Sequence, residues 1–393
     1  MEFFAGEFRV LTAGGSYTVP DLREMASAAR RSIPQRGVWA VDSSDVLGVL
    51  SAVVGLDGYC REVQLVPEGV TPATGGLSAE GGSSDTRWIV YSSGTTGAPK
   101  PIVHTLRSLS RAVRPQDGPR TWGLVYDPRR LAGLAVIVQA LATGSVLVDA
   151  TRGSIAERVS VMRDAGVDAL SATPTLWRQI LQTSTSDGWN LKRITVGGEI
   201  ADQLLLDALA SAFRDAHVTH VFAATETGVA FSVGDGRAGF PASYLENPPR
   251  GVALKIRDGI LWVHSPTSGL AGEDGFVSTG DVVEVRGDRV LFAGRASGVV
   301  NVGGTKVHPE NVESLIREHP DVREVVVTAR PNPFSGNVLI ATVVLRAAAA
   351  ANGTESSSLR QWLSQRAPAP MVPAQFHIVE SLASSTTGKV VRS

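Results

Sequence analysis

Helical and strand periodicities alternate along this chain. Through most of the first 290 residues, amphipathic helical patterns give way again and again to short apolar runs. "IAERVSVMRDAG" (155 to 166) reads as a helix ended by glycine, and "VDALSATP" after it as a strand and loop. "LKRITVGGE" predicts a strand entering a glycine turn, "ADQLLLDALASAFRDA" a helix, and "VTHVFAATETG" a strand that ends in polar residues. A βα series of this kind lays helices on the faces of a sheet. Two later runs, "ALKIRDGILWVHS" and "DVVEVRGDRVLFAGR", carry Asp258-Gly259 and Gly287-Asp288 pairs that suit hairpins. Beyond Pro309 the order becomes helix, strand, strand, helix, strand, with "AAAAANGTESSS" read as a loop. The expected fold is therefore α/β: a large N-terminal layered domain over 1–294 and a small C-terminal α+β domain over 295–393. The boundary is expected near Gly294 to Gly298.

Composition narrows what such a fold could bind. The chain has 393 residues, 43% hydrophobic and 19% charged, enough for a large core and too many for one compact domain. A formal net charge of -1 supplies no basic footprint, so nucleic acid is not an expected partner and small molecules are. The most apolar run, "LAGLAVIVQALATGSVLV" (131 to 148), is broken by Gln139, Thr143, Gly144 and Ser145 and reads as a buried helix running into a strand, not a membrane span. The single cysteine, Cys60, excludes an intramolecular disulfide framework. The N-terminus lacks a basic segment before an apolar one, and a cytoplasmic location is expected. Nothing in the sequence fixes an oligomeric state.

One stretch promises chemistry. "WIVYSSGTTGAPKPIVHT" (88 to 105) places hydroxyl residues, two glycines and Lys100 between two short apolar runs. Its spacing is wrong for a Walker A loop, and Pro99 and Pro101 disfavour a following helix, so the loop is expected to join two strands. Backbone N–H groups and hydroxyls in such a loop can still wrap a polyphosphate while lysine supplies charge. Taken alone, a solvated Ser/Thr/Gly turn is a real competitor to that reading.

Four downstream segments shift the balance. "SSGTTGAPK", "FAATETG" (222 to 228), "STGD" (278 to 281), "GRASGVVNVGGTKVHPENVE" (294 to 313) and "TTGKVVR" (386 to 392), in that order, resemble the core motifs of the adenylate-forming superfamily. That superfamily comprises acyl-CoA synthetases, peptide-synthetase adenylation domains and luciferases. The resemblance runs from about residue 87 to the end of the chain and leaves the first 86 residues without a motif; the chain looks like a compact form similar to short o-succinylbenzoate-CoA ligases.

The resemblance implies ATP-dependent formation of an acyl adenylate with release of pyrophosphate, then transfer to a nucleophile, with CoA as the first choice. Two anions must meet, so cations and oriented donors are needed. It implies that Ser92, Ser93, Gly94, Thr95, Thr96, Gly97 and Lys100 hold the β- and γ-phosphates. Thr225 would touch the α-phosphate and Glu226 would hold Mg²⁺, a role that suits a hard carboxylate oxygen. Phe222 and Ala223 would lie at adenine, Gly198 and Glu199 near the nucleotide, Asp281 at the ribose hydroxyls, and Arg295 among the cations. Lys389 would bridge the attacking oxygen and the α-phosphate, making Lys389, Thr225 and Glu226 the expected catalytic set. Tyr126, Arg130, Gly133 and Gly197 would line the acid pocket. Each has a plain rival: Asp281 could merely shape a turn, Glu226 could cap a helix, and a lysine close to a chain end is ordinarily solvated.

Three departures from the family pattern matter. The hinge position, commonly Asp or Lys, is Ser297 here, followed by Gly298, and a Ser-Gly pair can absorb backbone rotation. The loop before Lys389 reads "LASSTTGK", without the usual proline and positive residue. Where many relatives carry a histidine in the acid pocket, "YDPRRLAGL" puts Arg130 at or near that site; a buried arginine there would favour a second anionic or strongly polar group on the substrate, and the plain alternative is that Arg129 and Arg130 face solvent. The final acceptor stays open between CoA, a carrier-protein thiol and an amine; nitrite activation for diazotisation of an aromatic amine is an alternative, and a catalytically silent nucleotide-binding protein is one of another class. His104, His217, His220 and His308 lack a spacing that would make a metal site or triad, and read as structural.

Overall fold

A computed structural model describes residues 7–73, 85–92, 99–113, 118–183, 188–225, 227–249, 252–264, 274–333, 335–351 and 354–382. The expected βα series forms an eight-stranded sheet. Its strands run in the order Gly228–Val233, His217–Ala224, Arg193–Gly197, Ala169–Ala172, Thr121–Leu124, Val146–Asp149, Arg9–Thr12 and Gly15–Thr18. The inner strands are parallel, and an antiparallel strand lies at each edge. From Thr121–Leu124 the chain steps outward to Val146–Asp149, then returns to the other side at Ala169–Ala172 before stepping outward again. Such a reversal opens a crevice at the carboxyl ends of the two strands, the place where open α/β sheets take ligands.

A second, four-stranded sheet carries the hydroxyl-rich loop. Val38–Val41, Glu62–Leu65 and Arg87–Tyr91 are parallel, and Pro101–His104 returns antiparallel to Arg87–Tyr91. One apolar core joins both sheets: Val63, Trp88 and Val90 pack in the same cluster as Leu124, Leu170 and Ile194, with Val49, Leu50, Leu134 and Ile137 supplied by helices. Those helices, Val46–Gly55 and Leu131–Thr143, are apolar on most of their surface because protein covers most of it. The second ends where Gly144 turns left-handed (φ 63°), a conformation that favours glycine, and the chain passes directly into Val146–Asp149. The run 131 to 148 is thus the buried helix and strand its interruptions suggested. No helix among the described residues is long and apolar enough to cross a membrane.

An antiparallel five-stranded sheet follows, with Ala253–Arg257 and Ile260–His264 joined by a two-residue turn. Asp258 (φ 49°) and Gly259 (φ 72°) both take positive φ, as the tight hairpin turn matched to strand twist requires. Its core is separate and aromatic: Phe231, Phe240, Val263 and Val290, with Phe222 and Phe292 against them.

The small α+β unit has its own core, built around Val312, Val325, Val327, Ala341, Val343 and Leu363. Helix Pro309–Arg317, strands Val322–Asn332 and Gly336–Leu345, helix Ser356–Ser364 and strand Gln375–Ile378 appear in the order read from sequence. Two details correct that reading. The alanines of "AAAAANGTESSS" form a helix, Ala347–Ala351, because alanine has the highest intrinsic helix propensity, and serines 356–358 open the next helix. A further hairpin, Val300–Val302 with Thr305–Val307, precedes the first helix around Gly303 and Gly304, both at positive φ.

Candidate functional site

The hydroxyl-rich loop leaves and rejoins the four-stranded sheet through a closed neck. Tyr91 pairs with Pro101, the Ser92 amide donates to the Lys100 carbonyl (2.9 Å), and the Lys100 amide donates to Ser92 Oγ (3.1 Å). Pro101 is the first residue of its strand, where a missing N–H is tolerated. Ser93, Gly94, Thr95, Thr96 and Gly97 lie outside the described residues, as do Glu226 and Lys389. The Lys100 side chain is exposed at the neck.

The Tyr-Asp-Pro-Arg-Arg corner between Thr121–Leu124 and Leu131–Thr143 fastens onto that neck. Arg129 is buried: Nε and Nη2 donate to the two carboxylate oxygens of Asp127 (3.0 and 2.8 Å), and Nη1 donates to the carbonyls of Asp42 and Val66 (2.5 and 3.0 Å). The last two bonds tie the corner to the ends of Val38–Val41 and Glu62–Leu65. Arg130 instead turns to the loop, its Nη1 donating to the carbonyls of Tyr91 (3.3 Å) and Ser92 (3.2 Å). Burial lowers the pKa of its guanidinium, Asp127 opposes that, and Arg129 adds to it. Its Nε is buried with no hydrogen-bond partner among the described residues. Gly133 sits against this corner so closely that a Cβ would lie 2.3 Å from the Asp127 carbonyl oxygen.

Tyr126 and Glu199 interact near the crevice created by the strand reversal, and Gly197 ends the strand that leads to Glu199. Tyr126 is buried and hydrogen-bonds Ser171 in the neighbouring strand; burial raises its hydroxyl pKa, the Ser171 bond works against that, and the charge of Glu199 adds to the rise. Glu199 Oε2 accepts the amide of Thr175 (3.0 Å), so its carboxylate sits at the N-terminus of helix Pro174–Leu181, where the exposed amides and helix dipole favour negative charge. Gly197 ends its strand beside Val221, and Gly198 turns left-handed (φ 82°) to release Glu199 from the sheet.

Phe222, Ala223 and Thr225 run along the next carboxyl edge. The Phe222 ring stacks with Phe231 (centroids 5.2 Å apart, 13° between planes) and with Phe292 (5.3 Å, 7°), which anchors it in the aromatic core. The Thr225 carbonyl meets Nε2 of His104 at 2.8 Å. Farther along, Asp281 Oδ1 accepts from Arg295 Nη1 (3.1 Å), while the Asp281 amide is held by Thr279 Oγ1 (3.1 Å). Ser297 is exposed in the single turn Ala296–Gly298 that follows Arg295.

Residues far apart in sequence therefore gather at the carboxyl edges of the two parallel sheets: the neck Ser92/Lys100, Arg130, Tyr126, Gly197 to Glu199, and Phe222 to Thr225. Residues 42–260 match the model of the family described as AMP-binding enzyme, and residues 311–389 match that of the AMP-binding enzyme C-terminal domain. The chain belongs to this adenylate-forming family. The chain is 27% identical to surfactin synthase subunit 1 of Bacillus subtilis (strain 168), an alignment covering 98% of this chain and 12% of that protein. It is 24% identical to the probable CoA ligase CCL5 of Humulus lupulus, over 78% of this chain and 62% of that one. The chain thus spans less than two thirds of either relative. Its fold matches the amide bond synthetase McbA from Marinactinospora thermotolerans, with a TM-score of 0.73, 19% identity, and coverage of 98% and 95% of the two chains. The family is one of ATP-dependent, AMP-forming ligases, and the chain's relatives include a probable CoA ligase.

Three residues that the sequence does not place in the site organise it. Ser171 supports Tyr126, Arg129 locks the corner, and His104 reaches Thr225. The long-range bonds of Arg129 and His104 end on backbone carbonyls and that of Ser171 comes from a neighbouring strand, where residue spacing carries no signal. Among the described residues there is no cluster of three or more His, Cys, Asp or Glu able to hold a metal; the Mg²⁺ expected on Glu226 falls outside them.

Proposed function

We propose that this enzyme activates an acid with ATP and passes the acyl group to the thiol of CoA. The acid oxygen attacks the α-phosphorus, the bond to the bridging oxygen breaks, and pyrophosphate departs with that oxygen and its charge. The CoA thiol then loses its proton, attacks the acyl carbon and expels AMP. Supporting this reading is one observation above all: the neck of the phosphate loop and the Thr225 end of the central sheet are tied together, although 121 residues separate His104 from Thr225.

Around that junction each side chain has a task. Lys100 and the donors of residues 92 to 97 would hold the β- and γ-phosphates; Thr225 would meet the α-phosphate, and Glu226 would carry Mg²⁺, which would draw charge from the phosphate oxygens. Asp281 would receive the ribose hydroxyls, with Arg295 holding its carboxylate in place. Tyr126, Gly133 and Gly197 would bound the acid pocket. Arg130 would favour an acid with a second anionic or strongly polar group, since its half-buried cation makes no ion pair among the described residues and leaves Nε unsatisfied. Residues 295–393 would form the mobile domain that delivers Lys389, rotating about Ser297 in the short turn Ala296–Gly298.

The acceptor is tested by mass spectrometry of products formed from ATP, CoA, nitrite, and pooled aromatic and aliphatic acids. The expected product is a CoA thioester formed only with ATP. A diazotised amine, or an amide in the presence of added amines, without any thioester would overturn the choice of CoA.

A further inference from the structure

We propose that His104 is a positioning residue for the α-phosphate: it holds the Thr225 carbonyl and thereby sets where Thr225 presents itself to the nucleotide. The proposal rests on the reading of Thr225 as the α-phosphate contact. His104 ends strand Pro101–His104, the return strand of the phosphate loop, and is only 6% exposed. Its ring is held on both sides: Nδ1 lies 3.2 Å from Ser108 Oγ, and Nε2 lies 2.8 Å from the Thr225 carbonyl. A carbonyl can only accept, so Nε2 carries the proton and donates it. Ser108 is itself fixed, accepting from the Thr105 amide (3.0 Å) within the cap of helix Leu106–Leu109.

The consequence is geometric. Thr225 follows the last residue of strand His217–Ala224 and leaves the ladder that fixed the residues before it. Its pairing ends at Ala224, opposite Gly228, so beyond that point the backbone needs another anchor. His104 supplies one from the other sheet. Because a peptide unit is planar, holding the Thr225 carbonyl also fixes the orientation of the unit that follows it. One imidazole then registers the phosphate-loop hairpin against the Thr225 segment, so the sites for the departing pyrophosphate and for the α-phosphate keep a fixed separation. A displacement of about 1 Å in such a site is costly to the reaction.

The test is calorimetric titration of AMP and adenosine into the wild type, His104→Phe and His104→Gln. Phenylalanine keeps the ring and removes the donor; the glutamine amide nitrogen reaches the place of Nε2. We expect His104→Phe to weaken AMP about tenfold, the size of one lost charge-facing contact, to leave adenosine unchanged, and His104→Gln to recover most of the loss. Should the phenylalanine variant fail to fold, His104→Asn serves the same comparison, because its shorter amide keeps the Ser108 contact and falls short of Thr225. Equal AMP affinity in wild type and donorless variant, or parallel loss of AMP and adenosine, would overturn the positioning role alone. A wild type that binds neither AMP nor adenosine would overturn the nucleotide reading and the positioning role together.

Discussion

Arg129 illustrates what a single residue contributes here. It bonds both oxygens of Asp127 and two carbonyls from the neighbouring sheet while only 4% exposed. Removing one partner of a buried, fully bonded pair leaves the other uncompensated, at a cost of about 3–5 kcal/mol. Arg129→Ala is therefore expected to lose stability of that order in urea denaturation; a loss under about 1 kcal/mol would contradict the view that this residue locks the corner. Arg129 was visible in sequence only as one of two adjacent arginines. Which of the pair faces inward depends on strand ends 63 and 87 residues away, and no local pattern encodes that. Arg130 could be placed near the site from its motif position, but not its grip on the Tyr91 and Ser92 carbonyls.

At the scale of elements, the sequence was most legible where hydrophobic period and punctuation agree. Helix Ile155–Asp164, with its Ser154/Glu157 capping box, and the hairpin at Asp258-Gly259 are both local decisions, and both formed as read. What stayed hidden was non-local. Strand Arg9–Thr12 pairs with Val146–Asp149, so the motif-free N-terminal segment extends the central sheet. The alanine helix Ala347–Ala351 was obscured by the turn-forming residues after it.

His220, on strand His217–Ala224, holds the Gly239 carbonyl at 2.6 Å and thereby ties the central sheet to the antiparallel one. Burial lowers its pKa, as it does for His308 and His319, against smaller opposing interactions. A histidine whose folded pKa is depressed takes up its proton more readily when unfolded. Its stabilising contribution is full above the ordinary value near 6.5 and shrinks as pH falls below that value toward the folded pKa. Unfolding free energy should therefore decline from about pH 7 toward pH 5, and His220→Gln should flatten that decline; an unchanged slope in the variant would remove His220 from the account.

For the whole molecule, the large α/β core, the aromatic core and the small α+β core are distinct clusters. Charged groups meet where the small unit approaches the large one. Arg178 pairs with Asp202 at 2.5 Å, and Arg317 pairs with Glu324 (2.9 Å) and Glu313 (3.5 Å). Burial alone would lower the pKa of Arg317, but Glu324, Glu313 and, from the large unit, Asp202 together raise it. Each pair lies within one unit, so separation of the two would expose the pairs without breaking them. That suits a small domain expected to swing about Ser297.

Adenylate formation is the claim on which the other roles depend. Its most direct measurement is pyrophosphate release from ATP with the pooled acids and nitrite, comparing the wild type with Lys389→Ala. Acid-dependent release is expected from the wild type, falling at least about a hundredfold in the variant, the scale of losing one preorganised charge at the reacting centre. No release with any acid or with nitrite would contradict that claim.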